Sequence, residues 1–381
     1  MEINNYIIRM KLFYSTFIDY VNNDKVFPDD FQNFVSFIQD NQFDKNPDEI
    51  RSLLHIIHKV FSYHKRNAIF SDKIYKILLY YSDKIRQTFS NLDIFRIFKN
   101  NKLILIFLFE NKIITINEEI ALLIVEKYGS NDSNFFYPEL KPFLTDGKIK
   151  LLFQPDLTEE DFIKKRKEGV NDSYVCQLIR NDSIDEFKKF FDNQKSIEID
   201  FTIPKSIFET NSFLIKSEPS YFEYAAFYNS TKIFNYLQEE EGNELIPSLW
   251  SYAIYGHNIE LIELLKEKKI EPYDISYEEC FIDTIRSHYN DIVKRLKIGE
   301  NEERKLIKEQ NFFLSYYNFD FIPNDFKEDD YELLLDSACQ YDYVTIVKII
   351  LKSGKINLRE LLKSKSISLS KLNKISFLFF E

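Results

Sequence analysis

Phe222-Glu-Tyr-Ala-Ala-Phe-Tyr-Asn-Ser-Thr-Lys-Ile-Phe-Asn-Tyr-Leu237 is answered further along the chain by Trp250-Ser-Tyr-Ala-Ile-Tyr-Gly-His-Asn-Ile-Glu-Leu-Ile-Glu-Leu-Leu265. Tyr224 pairs with Tyr252, Ala225 with Ala253, Ile233 with Leu261, Phe234 with Ile262 and Leu237 with Leu265. Every pair is 28 residues apart, as in 252 minus 224. A period of this size is the mark of a repeat array, in which one unit cannot bury its apolar face alone and stacks on its neighbours. The expected fold class is all-α: an α-solenoid of helix-turn-helix repeats with a helical N-terminal region.

Helix starts follow the same rhythm. Ser173, Ser206, Ser220, Ser248 and Ser276 are separated by 33, 14, 28 and 28 residues. Three of them open Ser-x-x-Glu (Ser206 with Glu209, Ser220 with Glu223, Ser276 with Glu279). In such a capping box the serine accepts from a free backbone N–H and the glutamate reaches back to the serine's own N–H. The short step predicts an inserted helix from Ser206 to Ile215. His288 to Leu296 matches His257 to Leu265 at an offset of 31, and Asn101 to Phe109 matches the same segment at 156. Leu335 to Ile350 restores the pattern near the end, with Gly354 placed to stop its helix.

Outside the array, residues 1–90 read as helices without a repeat. Asp29, Asp30, Pro47, Asp48 and Asp72 stand before apolar stripes such as Phe31, Phe34, Val35 and Ile38, where acidic residues favour a helix N-terminus. Residues 91–170 read as a degenerate repeat and a connection punctuated by Gly129, Pro138, Pro142, Gly147 and Pro155. The repeat core is expected over 171–300, and degenerate C-terminal repeats and an apolar tail, Ile375 to Phe380, over 301–381.

Composition narrows the function classes. Among 381 residues the net charge is −11, so the phosphate-neutralising term that drives nucleic-acid binding is missing. The one tight basic run, Lys164-Lys-Arg-Lys167, is flanked by Glu159, Glu160, Asp161 and Glu168. Seven glycines leave little room for a phosphate-binding loop. Cys176, Cys280 and Cys339 are too scattered for a metal knuckle and suit a reducing compartment. The longest apolar run, Leu103 to Phe109, is too short to span a bilayer. Arg9, Lys11 and Asp19 interrupt any signal-peptide core, so the expected location is cytoplasmic, without membrane insertion.

The repeat unit resembles an ankyrin repeat. Phe222-Glu-Tyr-Ala-Ala226 and Leu335-Asp-Ser-Ala-Cys339 resemble the first half of that family's unit; Ile259-Glu-Leu-Ile262 and Val344-Thr-Ile-Val347 resemble the second. Asn171 to Arg180, Pro204 to Ile215, Pro247 to Ile254 and Ser276 to Cys280 look, more narrowly, like a large ankyrin-type family of unknown function expanded in parasitic protists. The resemblance covers roughly residues 90–300 and implies a scaffold that binds a protein partner on its concave face. It supplies no catalytic residue and no cofactor. The chain lacks that family's Thr-Pro-Leu-His tetrad and Gly-Ala-x-x-Asn finger.

Candidate chemistry is sparse. His55-x-x-His58, with His64 beyond, lacks a third ligand and a catalytic acid, so no metal is expected. Glu239-Glu-Glu241 lacks the alternation of a calcium loop. The candidate partner-binding residues are Tyr224 and Phe227, echoed by Tyr252 and Tyr255. Residues three apart share a helical face, and the repeat would stack the pairs as an aromatic ladder. Aromatic rings are enriched among binding hot spots. The alternative is that these rings pack between helices. A second function class, an enzyme whose site lies in the N-terminal non-repeat region, would need a converging acid–base or metal set in residues 1–90, and none stands out.

Overall fold

The computed structural model describes residues 2–23, 25, 27–65, 67–143, 157–195, 201–296, 312–323, 326–327 and 330–356. Gly147, Pro155 and the apolar tail lie outside this set. The described residues form α1 (Glu2–Asn22), α2 (Asp30–Asp40), α3 (Pro47–Tyr63), α4 (Ala68–Tyr80), α5 (Ser82–Thr88), α6 (Asn91–Phe98) and α7 (Lys102–Glu110). The chain continues with α8 (Glu118–Asp132), α9 (Tyr137–Leu140), α10 (Glu159–Glu168), α11 (Tyr174–Arg180), α12 (Ile184–Lys195), α13 (Ser212–Ser217) and α14 (Tyr221–Tyr228). It then forms α15 (Thr231–Glu239), α16 (Leu249–Tyr255), α17 (Ile259–Glu267), α18 (Glu278–Ser287), α19 (Phe312–Ser315), α20 (Tyr331–Gln340) and α21 (Val344–Lys352). Among the described residues there is no strand, only an isolated bridge between Thr202 and Ser220. The chain is all-α, and no described helix is long and apolar enough to cross a membrane.

Two compact units emerge. One holds residues 1–59, 68–74 and 297–381; the other holds 60–67 and 75–296. In the first, α1 buries Ile3, Tyr6, Ile7, Met10, Phe13, Tyr14, Phe17, Tyr20 and Val21, an unbroken 3–4 spacing. Tyr20 stacks on Phe34 of α2 at 4.7 Å. Lys73 is buried and donates to the Tyr20 and Asn23 carbonyls, both at 2.7 Å, closing the C-terminus of α1. Helices α20 and α21 form a hairpin that packs on α1. There the Tyr317 ring lies between His55 at 4.7 Å and Tyr343 at 4.2 Å.

In the second unit, α11–α12, α14–α15 and α16–α17 are helical hairpins, and α11, α14, α16 and α18 pack in series. The paired positions read from the sequence fall at the same places along α14 and α16 and along α15 and α17. Tyr224 and Tyr252, Ala225 and Ala253, Ile233 and Leu261, and Leu237 and Leu265 are all buried. Small side chains let α14 and α16 approach so closely that a Cβ on Gly256 would collide with the Phe227 carbonyl.

Each hairpin turns through one residue in the left-handed region: Asp182, Asn229 and His257, with φ of 50°, 60° and 51°. His288 and Asp342 repeat it after α18 and α20. These are residue types that tolerate this backbone comparatively well. The residue after the turn then reaches back to the preceding unit. Ser230 Oγ donates to the Ile179 carbonyl at 2.5 Å, and Asn258 Nδ2 to the Ala226 carbonyl at 3.0 Å.

The cap schedule needs correcting. Ser220–Glu223 is a complete capping box. Ser206 and Ser276 begin no helix: Glu209 is drawn into a different set of bonds, and the Asp274 carboxylate takes the Glu279 N–H at 2.9 Å. The inserted helix starts at Ser212, not Ser206, because Asn211 caps it. A second complete box, Ser90–Asp93, opens α6. The segment after His288 forms a 3-10 stretch, Asn290–Arg295, rather than an α-helix. Asn101 and Asn258 each cap a helix from the same position, accepting from Ile104 and Leu261, so that correspondence is 157 residues rather than 156.

Candidate partner-binding site

Helices α14 and α16 bring Tyr224, Phe227, Tyr252 and Tyr255 onto one face, as their spacing requires. That face is covered. All four side chains are at most 4% exposed. The cover is Phe213 of α13, whose ring centroid lies 4.0 Å from Tyr255, 5.0 Å from Tyr252 and 6.2 Å from Phe227. Tyr63 adds a further ring 6.3 Å from Tyr255. The expectation of an aromatic ladder open to a partner is therefore revised: in this structure the four rings are core, and only Tyr252, at 4% exposure, reaches the wall of a cavity.

Their hydroxyls are spent internally as well. Arg180 donates to the Tyr224 hydroxyl at 3.0 Å. Tyr255 donates to Asp283 at 2.9 Å and accepts from Arg286 at 3.1 Å. Burial raises the pKa of both tyrosines well above the usual phenol value, so they remain neutral donors. Burial also raises the pKa of the Asp283 carboxyl, against the opposing effects of Ser251 and Arg286.

A polar clasp seats α13 against the ladder. The buried Glu209 carboxylate accepts from the backbone N–H groups of Asn171, Thr210 and Asn211, at 3.2, 2.9 and 2.7 Å. Asn171 Nδ2 donates to the Pro204 carbonyl at 2.6 Å, and Ser206 Oγ to Asp172 at 2.7 Å. The phrases Asn171–Arg180 and Pro204–Ile215, which stood out in the sequence, thus meet in space. Their polar residues satisfy one another's backbone, as buried polar groups must.

The open surface lies one loop further on. Between α17 and α18, Tyr273 and Ile275 are 73% and 68% exposed. Ile275 has φ 50° and Tyr277 φ 62°, a costly backbone for a β-branched and an aromatic residue. Tyr273 forms the lip of a cavity of about 220 Å³, whose walls include Phe213, Trp250, Tyr252, Ser248, Ser251 and Glu279. Trp250 is pinned by donating from Nε1 to the Ile270 carbonyl at 2.9 Å and by an edge contact with Tyr277 at 5.2 Å. Periodicity could not find this site, because a loop tip has no period. The available signal was two large apolar residues in the turn Pro272-Tyr-Asp-Ile-Ser276.

The other singled-out residues serve the fold. His55 bonds Asp342 at 3.1 Å, His58 is buried, and His64 bonds the Ser287 carbonyl at 3.0 Å. No group of three metal-ligating side chains occurs among the described residues. All three cysteines are buried and in no disulfide, and burial pushes the Cys176 thiol up to about 11, away from reactivity. Within the basic run, Arg166 is buried against Glu139 at 2.6 Å and Lys165 is paired with Asp172 at 2.8 Å. No protein-family model, curated protein or solved structure matches the chain.

Proposed function

We propose that the chain is a non-enzymatic scaffold, an ankyrin-like α-solenoid whose second unit binds a protein partner. The serial packing of hairpin helices over α11–α18 supports the architectural part of this reading. The proposed binding surface is the Tyr273–Ile275 loop and the cavity behind it, in place of the ladder on α14 and α16. One observation carries it: two large apolar side chains, Tyr273 and Ile275, stand in solvent on one loop, and Ile275 does so from a left-handed backbone. A folded chain gains nothing from either feature by itself, and stored strain together with exposed apolar area marks binding surfaces.

The test is quantitative capture from source-cell lysate with the wild-type chain and with Tyr273→Ser/Ile275→Ser. At least one captured protein should fall about tenfold or more with the variant, a loss of about 1.4 kcal/mol or more. Identical capture by a folded double variant removes this loop from the binding surface.

A further inference from the structure

The cavity under Tyr273 is chemically one-sided. Four aromatic residues, Phe213, Trp250, Tyr252 and Tyr273, contribute to its walls. Two of its three serine hydroxyls, those other than Ser217, are committed as donors elsewhere: Ser248 to Glu223 at 2.6 Å and Ser251 to Asp283 at 2.7 Å. What these oxygens still have to give is acceptor capacity. The rim carries Glu279, an exposed carboxylate in no ion pair among the described residues, and no lysine or arginine lines the cavity. The chain as a whole is acidic, at −11. Aromatic faces present negative charge to a ligand above them. Rings, acceptor oxygens and carboxylate therefore all favour the same ligand sign.

Size and dryness narrow the choice. A bare ammonium is compact and strongly hydrated, and would exchange its water for only a few acceptors here. An alkylated ammonium sheds water more readily and is favoured by an aromatic lining, here Tyr273 at the mouth and Phe213 half-buried behind it. We infer that the cavity binds an alkylated ammonium group, presented as a methylated lysine side chain by the protein partner of the Tyr273–Ile275 surface. This inference rests on the reading of that surface as a partner site and names the chemistry it recognises.

The chain carries its own reporter, since Trp250 is its single tryptophan and stands in the cavity wall. The experiment titrates the full chain with capped trimethyllysine, capped lysine, and the neutral analogue in which carbon replaces the charged nitrogen, following Trp250 emission. Trimethyllysine should give a saturable change, about tenfold tighter than the neutral analogue and tighter than unmodified lysine. Glu279→Gln and Tyr273→Ala, both at exposed positions, should each weaken it about threefold or more without shifting the thermal melt. Equal binding of the neutral analogue overturns the inference, and so does the lack of a saturable response to trimethyllysine. If the titration fails while Tyr273→Ser/Ile275→Ser still loses a captured protein, the partner surface stands and the cation does not. If the titration succeeds and capture is unchanged, the cavity stands and the protein partner does not.

Discussion

Tyr255 and Tyr273 sit at opposite ends of one hairpin, the first closing α16 and the second in the loop after α17. They are used in opposite ways. Tyr255 has its hydroxyl shared between Asp283 and Arg286 and its ring under Phe213. Tyr273 stands mostly in water on a strained loop. The repeat decides which residues share a face, and Tyr255 obeys it. Whether that face meets solvent is decided by something outside the repeat, here the inserted helix α13. A periodic aromatic pattern therefore locates a surface without saying who covers it.

Four substitutions break or sharpen this contrast. Ala253→Phe should do most damage, because Ala253 is fully buried where α16 packs in the series. Overpacking there costs about 1–3 kcal/mol or more, and should open the hairpins next to it before the rest. Hydrogen exchange read along the chain checks both size and place; a wild-type pattern would put Ala253 outside the interface. Phe213→Ala tests the cover directly. The ring is only half-buried, so the loss should be about 2 kcal/mol, below that of a fully buried phenylalanine. The uncovered ladder should also bind an apolar dye, and a variant that melts normally without dye binding would mean that something other than Phe213 seals the face.

Asp283→Asn probes the buried end through pH. Burial raises the Asp283 pKa above its ordinary 3.8, so folding favours the neutral acid. That contribution is complete below about pH 4 and is lost as pH rises through the folded value. The melting temperature of wild type minus that of Asp283→Asn should accordingly fall as pH rises above about 4. A difference that grows with pH would mean that Arg286 stabilises the carboxylate more than burial penalises it. The smallest effect belongs to the exposed end. Ile275→Gly removes the penalty of a β-branched residue at φ 50° and should change stability by about +0.5 kcal/mol, partly offset by the greater freedom of glycine when unfolded. Chemical denaturation measures it; a loss above about 1 kcal/mol would show that the Ile275 side chain has a packing role.

The sequence made the hairpins legible for a plain reason. Apolar positions recurring at helical spacing within a fixed period can be satisfied only by stacked helices, and Ala225, Ala253, Leu261 and Leu265 fell where expected. Caps were half legible. Ser220 and Glu223 pair as read, whereas Glu209 accepts from Thr210 and Asn211 just after it and from the distant Asn171, a contact that no local pattern announces. The candidate ladder failed as a surface for the same reason. Phe213 reaches it from a helix that belongs to no repeat, and only its three-dimensional landing point shows what it covers. The cavity under Tyr273 had no periodic signal, since its walls come from α13, α16, the Pro272–Ser276 loop and α18.

The turn inside each hairpin has an unforced consequence for how such a chain can lengthen. Between α14 and α15, and between α16 and α17, two or three residues suffice, and the residue after the bend is tied to the preceding hairpin. Those short turns have no slack to accept extra sequence. The connections between successive hairpins are longer than these turns. One already carries α13, and another bends at Gly242, φ 73°, among exposed residues where an added Cβ would meet nothing within 4 Å. Lengthening an exposed connection costs little loop entropy, growing only with the logarithm of its length. The chain is thus built to acquire new segments at one kind of joint while holding the other constant, and α13 shows what one such segment does: it changes which faces of an unchanged frame are open to the outside.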